Sequence, residues 1–222
     1  MATLIENNYK IPLPVTYEFV TEVTPVEWVQ QYFLLRQEVY TDYWKLKNFS
    51  GGEDHYDRNG YTILVIHNNR CVGGGRLVIR DAYTDSLLPL EEANFLIKDL
   101  LPELGLYEKN YGEVCRVAML PDFRKDGSYT KEMYHRIAIL SKQLNLSFLF
   151  AVAPIVQSRK IRMATKSFGL STKILNEIKV PDSQSHENIE MRFVRMNINE
   201  WSISENNIQD TSIIDEREFC HV

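Results

Sequence analysis

Cysteine is scarce in this sequence. Cys71, Cys115 and Cys220 are the only three in 222 residues, an odd number, far apart and with no pair at metal-ligand spacing. Neither a disulfide framework nor a cysteine-built metal centre is expected from them. No apolar run approaches the roughly 20 residues that span a membrane, and the opening MATLIENNYKIPLPV lacks the basic and apolar regions of a secretory signal. A basic excess is missing too. The net charge is −5, which argues against a general nucleic-acid binder. Repeats, low-complexity segments and internal linkers are likewise absent. The expectation is a soluble, cytoplasmic protein without a bound metal.

What is present suits one sizeable core. With 44% hydrophobic and 25% charged residues, the chain has ordinary globular composition, and its length fits a single domain over 1–200 followed by a polar tail, 201–222. TYEFVTEV (16–23) alternates like a strand. Pro25 opens a helical segment in which Val26, Val29, Phe33 and Tyr40 approximate a stripe. The next twenty residues are polar and glycine-rich but carry Tyr43, Trp44 and Phe49, so this loop is expected to fold back on something. YTILVIHNNRCVGGGRLVI reads as a hairpin turning at Asn68-Asn69. Residues 81–110 read as a loop with a helix near LEEANFLIKDLL.

A strand at 113–120 follows, then a helix with Ser128 as N-cap and a stripe of Met133, Ile137, Leu140 and Leu144. SFLFAVA (147–153) is a short buried strand stopped by Pro154. A second helix covers about 156–168 and ends before Gly169. ENIEMRFVRMNI supplies the last strand. The strand–helix–strand–helix order implies parallel strands, and with the antiparallel hairpin it predicts a mixed α/β sheet flanked by helices.

Charged residues sit where a core would not put them. Arg36 lies in the apolar helix, Asp54 and Asp57 in the aromatic loop, and Arg76 directly after three glycines in the hairpin's second strand. Glu113 and Arg116 share the next strand. Residues three apart on a strand point to opposite faces unless a bulge resets the phase. Buried charges need partners, and arginine's planar fork matches carboxylates. Two readings stay open: separate satisfied ion pairs, or one network of three arginines and three carboxylates.

The ordered set Arg36, Tyr40, Trp44, Asp54-x-x-Asp57, Arg76 and Glu113-x-x-Arg116 resembles the acyl-homoserine-lactone synthase family, over residues 32 to 169. The resemblance implies a Gcn5-related acetyltransferase-like fold, with a V-shaped gap between splayed parallel strands at 113–120 and 147–152. It implies an enzyme that moves an acyl group from acyl carrier protein, where it rides on phosphopantetheine, to the amine of S-adenosylmethionine. The product then lactonises to a diffusible quorum-sensing signal and methylthioadenosine leaves. No permanently bound cofactor is implied; S-adenosylmethionine is a co-substrate. Two departures from the family pattern are visible: Trp44 lies four rather than six residues beyond Tyr40, and Tyr40 replaces the usual phenylalanine. Related N-acyl-amino-acid synthases share the fold and take other amines. A non-catalytic acyl-ligand sensor is a third reading.

On this resemblance Glu113 accepts the amine's proton, while Arg76 and Arg116 hold carboxylates, those of Asp54 and Asp57 or the substrate's. Arg36, Tyr40, Trp44, Asp54 and Val117 are expected around the substrate, with backbone N–H groups at a bulge near Val117 facing the acyl carbonyl. Cys115 reads as a small buried thiol. The loop Arg124-Lys125-Asp126-Gly127-Ser128-Tyr129 stands where coenzyme A pyrophosphate binds in acetyltransferases. Tyr129 and Asp126 count there against coenzyme A as the main donor. In the second helix Ile161, Ala164 and Phe168 read as the inward face. Arg159, Arg162 and Lys166 form a basic face suited to the acidic acyl carrier protein.

Overall fold

The computed structural model describes residues 14–46, 49–84, 86–92, 94–125, 127–181 and 189–202. The chain runs β1 (Thr16–Phe19), α1 (Val26–Glu38), α2 (His55–Asn59), β2 (Tyr61–His67), β3 (Arg70–Arg80), α3 (Ile97–Leu100), β4 (Tyr111–Met119), α4 (Ser128–Gln143), β5 (Phe148–Pro154), α5 (Ile155–Lys166), β6 (Ser171–Leu175) and β7 (Met191–Asn197). The seven strands form one mixed sheet in the order β1-β2-β3-β4-β5-β7-β6. Only β4 and β5 pair in parallel; the other neighbours are antiparallel.

The hairpin turns where expected. Asn68 and Asn69 adopt φ of 51° and 60°, the left-handed pair that a two-residue turn matching strand twist requires and that asparagine tolerates. The parallel junction is short: pairing covers Tyr111↔Phe148, Gly112↔Leu149 and Glu113↔Phe150 and then stops, although β4 continues to Met119 and β5 to Pro154. A bulge forces this splay. From Gly74 to Arg76, β3 takes two steps while β4 takes three, from Ala118 to Cys115, and Arg116 sits at φ 56°. A non-glycine residue in that region is held by its surroundings, here by the Tyr32 hydroxyl, which donates to the Arg116 carbonyl at 2.7 Å.

One sheet face is covered by α4 and α5, whose Met133, Ile137, Leu140 and Ile161 pack on Ile63, Leu77, Leu149 and Val194. The other face carries α1 over β2–β4 and the 88–106 segment over β4, β5 and β7, where Leu88, Phe95, Ile97 and Leu106 meet Phe148, Phe150 and Phe193.

Several expectations need correction. The most buried residues of α1 are Tyr32, Leu35 and Arg36, continued by Val39; of the expected stripe, Val29, Phe33 and Tyr40 pack partly buried against that cluster, while Val26 is 58% exposed. A π-helical turn, Val39–Tyr43, extends α1. The helix expected near LEEANFLIKDLL is there but short, Ile97–Leu100, preceded by a 3₁₀ turn at Pro89–Glu91. Gly127, at φ 73°, is the N-cap of α4 and Ser128 its first residue. α2 and β6 went unforeseen. β6 is a five-residue edge strand whose alternation, STKIL, is too short to show. Trp201 is buried against Phe168. The tail from 203 lies outside the described residues, as does Cys220.

Candidate active site

The Asp54-x-x-Asp57 pair is first a local device. The Asp54 side chain accepts from the N–H groups of Tyr56 (2.9 Å) and Asp57 (3.2 Å), and the Asp57 side chain accepts from the Asp54 N–H (3.0 Å). This reciprocal capping box starts α2. It leaves carboxylate oxygens facing α1 and β3, and the arginines fill them. Arg36 grips Asp57 with two bonds of 2.9 Å and donates to the Gly51 and Gly52 carbonyls. Arg76 reaches Asp54 at 2.5 Å and Asp57 at 2.9 Å. Arg116 approaches Asp54 at 3.5 Å. Burial opposes ionisation of Asp57, but hydrogen bonds from Arg36 and the Asp54 N–H hold its carboxyl below the usual range.

So one network exists, and it contains three arginines but two carboxylates. Glu113 faces it without an ion pair among the described residues. Its side chain is 5% exposed, and its Oε2 accepts from the Leu90 N–H at 2.9 Å. Burial pushes its carboxyl up to about 7, against the opposing pull of Leu90, Arg76 and Arg116. The bulge answers the phase question: it turns Arg116 toward the side of the sheet that Glu113 and Cys115 face. Arg76 is 0% exposed, and its Nη2 has no hydrogen-bond partner among the described residues.

Arg76, Glu113 and Arg116 line a cavity of about 970 Å³ that opens through the β4–β5 splay. Tyr40, Tyr43, Trp44 and Phe49 form one wall; Glu113, Cys115, Arg116 and Val117 form the floor; Ala151, Ala153, Tyr134 and Ile161 continue it between the helices. The π-helical turn places Tyr40, Tyr43 and Trp44 together, with Phe49 stacked on Tyr40 at 4.4 Å, so the aromatic loop does fold back. Arg116 lies 4.5 Å over Phe49 and Arg124 4.7 Å over Tyr43. Among described residues no cluster could hold a metal ion, and no helix is long and apolar enough to cross a membrane.

No protein-family model and no curated protein sequence matches the chain. Solved structures do. It is similar to a CoA-dependent acyl-homoserine lactone synthase, BjaI, with SAM and isopentyl-CoA (17% identity, TM-score 0.60, 84% of this chain and 85% of that one). It is similar to the AHL synthase LasI (16%, 0.52, 84% and 90%) and to FeeM, an N-acyl amino acid synthase from uncultured soil microbes (10%, 0.54, 86% and 93%). The chain has the N-acyltransferase-like fold that these structures share.

Within that fold, Arg36, Tyr40, Trp44, Asp54, Asp57, Arg76, Glu113, Arg116 and Val117 gather about one cleft, but not as equals. Arg36 and Asp57 lie behind the wall; the others except Asp54 line it. Arg159, Arg162 and Lys166 are exposed on α5 and outside the cavity; Ile161 on that helix is buried, Ala164 and Phe168 partly so. The glycines before Arg76 admit protein rather than ligand: a Cβ at Gly74 would meet the Tyr32 ring at 2.8 Å, and one at Gly73 the Met119 sulfur at 2.2 Å. Tyr129 packs edge-on to Phe123 at 5.1 Å and does not line the cavity, so its bulk is no obstacle to a donor there. Asp126 lies outside the described residues.

Sequence reasoning missed Leu90, Glu92, Phe95, Tyr134, Lys131 and Lys160, all lining residues. Leu90 acts through its backbone, which no side-chain pattern reveals. Tyr134 adjoins the recognised Met133 stripe and was the findable one. Cys115, read as a small buried thiol, is only half-buried and lines the cavity; desolvation, followed by the nearby Glu113, pushes its thiol up to about 12.

Proposed function

We propose that this chain is an N-acyltransferase that moves an acyl group from the phosphopantetheine thioester of acyl carrier protein to the amine of S-adenosylmethionine. The observation that carries this reading is Glu113: a buried carboxyl poised near neutrality at the mouth of a splayed parallel pair, beside cations, facing a large cavity with apolar walls. Aminolysis of a thioester needs a base whose proton affinity is matched to neutral pH. Glu113 takes the ammonium proton, directly or through a water, and the freed amine attacks the acyl carbon. Backbone N–H groups at the 116–117 bulge stabilise the oxyanion, and the carrier thiol leaves with the proton. Arg76 Nη2 holds the acceptor's carboxylate. Attack by that carboxylate on the substrate's γ-carbon then closes the lactone and expels methylthioadenosine. The exposed Arg159, Arg162 and Lys166 dock the acidic carrier.

A second acceptor class is favoured by one observation. The faces of Phe49 and Tyr43 are already covered by Arg116 and Arg124, so a sulfonium brought to those rings would meet like charge. An amino acid, carboxylate-bearing but with no second cation, avoids this. Coenzyme A is the alternative donor, since Arg124, Lys125 and Lys131 line the cavity around the start of α4, and Lys160 of α5 lines it too. Mass spectrometry of reactions with acyl carrier proteins of several chain lengths and S-adenosylmethionine tests the reading. Acyl-homoserine lactone with methylthioadenosine supports it. Acyl-amino acid formed only on adding an amino-acid pool selects the second acceptor. Binding without turnover of any donor overturns both and leaves a sensor.

A further inference from the structure

A second buried polar cluster lies behind the cavity. Glu91 is 1% exposed and its carboxylate accepts four hydrogen bonds. Oε2 takes Arg80 Nη1 at 2.7 Å and the Leu88 N–H at 3.1 Å; Oε1 takes the Ile97 N–H and the Tyr111 hydroxyl, both at 3.0 Å. These bonds tie both ends of the 88–97 turn to β3 and β4. The same turn is clamped from α2, where the Tyr56 hydroxyl donates to Glu92 at 2.8 Å. Between Glu91 and Glu92 on one side and Leu88 on the other, Leu90 presents its N–H to Glu113.

A charge-neutralising role for Arg80 alone would need neither the two main-chain bonds nor the tyrosine bond. Spending a carboxylate's acceptor capacity on two backbone N–H groups of one turn is what fixes the turn's shape. We propose that Glu91 is a positioning residue for the acyl transfer: it shapes the 88–97 turn so that the Leu90 N–H is held on the Glu113 carboxylate. This rests on Glu113 being the proton acceptor.

The effect has a sign that separates positioning from plain electrostatics. The groups facing Glu113 are Arg76 on β3, Cys115 and Arg116 on β4, Tyr56 on α2, and Glu91 with the Leu90 N–H in the turn. As a neighbouring negative charge, Glu91 raises the proton affinity of Glu113, and its removal would lower it. As the residue that presents Leu90, it lowers that affinity through the hydrogen bond, the larger of the two influences. Its removal would then raise it.

The experiment is Glu91→Gln, with Arg80→Met/Glu91→Gln as a companion that leaves no unpaired guanidinium if the single variant fails to fold. Glutamate labelled with ¹³C at the carboxyl carbon is titrated in the folded proteins, the Glu113 signal being assigned by its loss in Glu113→Gln. The expected result is a Glu113 midpoint raised by about one unit, with kcat/KM about tenfold lower at pH 6 and little changed at pH 9. A midpoint that falls or stays put in a folded variant overturns the proposal while leaving Glu113 as the base. An active Glu113→Gln enzyme overturns the Glu113 reading, and with it the reason for Glu91's placement.

Discussion

Replacing Glu113 by glutamine should separate stability from activity in opposite directions. The carboxyl is buried, and its folded value of about 7 stands above the ordinary 4.5. Ionising it in the native protein therefore costs more than in the unfolded chain. At about 1.4 kcal/mol per unit, the interval amounts to roughly 3 kcal/mol. The sign follows from proton binding. Between pH 4.5 and 7 the native state keeps a proton that the unfolded chain has lost, so wild-type stability falls as pH rises through this window and levels off above it. Glutamine is neutral throughout and still offers an oxygen to the Leu90 N–H. Urea unfolding at pH 4.5 should give similar stabilities for the two proteins, whereas at pH 8 Glu113→Gln should be more stable by up to about 3 kcal/mol. Over the same range acyl transfer should drop roughly a hundred- to ten-thousand-fold, the usual worth of a general base, and the wild-type acid limb should centre near pH 7. Parallel stability curves would refute the burial argument. Near-normal turnover would refute the base assignment.

Other consequences are smaller in scope. Arg36→Met should destabilise the fold by about 3 kcal/mol in urea titration, because it strands the Gly51 and Gly52 carbonyls and leaves buried Asp57 with Arg76 as its one remaining cation among the described residues; Arg36→Lys should not restore it, lacking the fork. Gly74→Ala places a methyl 2.7 Å from the Ile63 carbonyl and 2.8 Å from Tyr32, which should cost about 1–3 kcal/mol and release the tyrosine's hold on the Arg116 bulge. Thermal melts and activity should therefore fall together. Reversing Arg159, Arg162 and Lys166 to glutamate should raise KM for acyl carrier protein severalfold with kcat unchanged; an unaltered KM means the face is merely solvated. Cys71, buried and with its thiol pushed up to about 11, should resist iodoacetamide at pH 8 in the native protein, whereas Cys115 on the cavity floor should react slowly because its thiol is pushed up to about 12, as read by peptide mapping.

Much of this was legible in the residue order. The Asn68-Asn69 hairpin, the β4–α4–β5 crossover and the Gly169 stop rest on local periods and turn chemistry, which sequence carries directly. The full burial of Arg36 on α1 shows the limit of that logic. Arg36 is the wrong polarity for a core residue, and the Asp57 carboxylate delivered by α2, with the Gly51 and Gly52 carbonyls, makes its burial tolerable.

What the sequence determined by itself is the chemistry available: three arginines, two aspartates and Glu113 in a fixed order, on elements whose periods give their type. The tertiary structure decided their division of labour. Asp54 and Asp57 are absorbed by a helix cap and the arginines. Arg36 serves structure, and among the described residues Arg76 keeps one donor free and Glu113 has no ion pair. None of this is encoded locally. It depends on a bulge held by Tyr32 from another element, and on a backbone N–H presented by a turn more than twenty residues away. Burial and partner geometry are properties of the packed chain. They turn an ordinary glutamate into one poised near neutral pH.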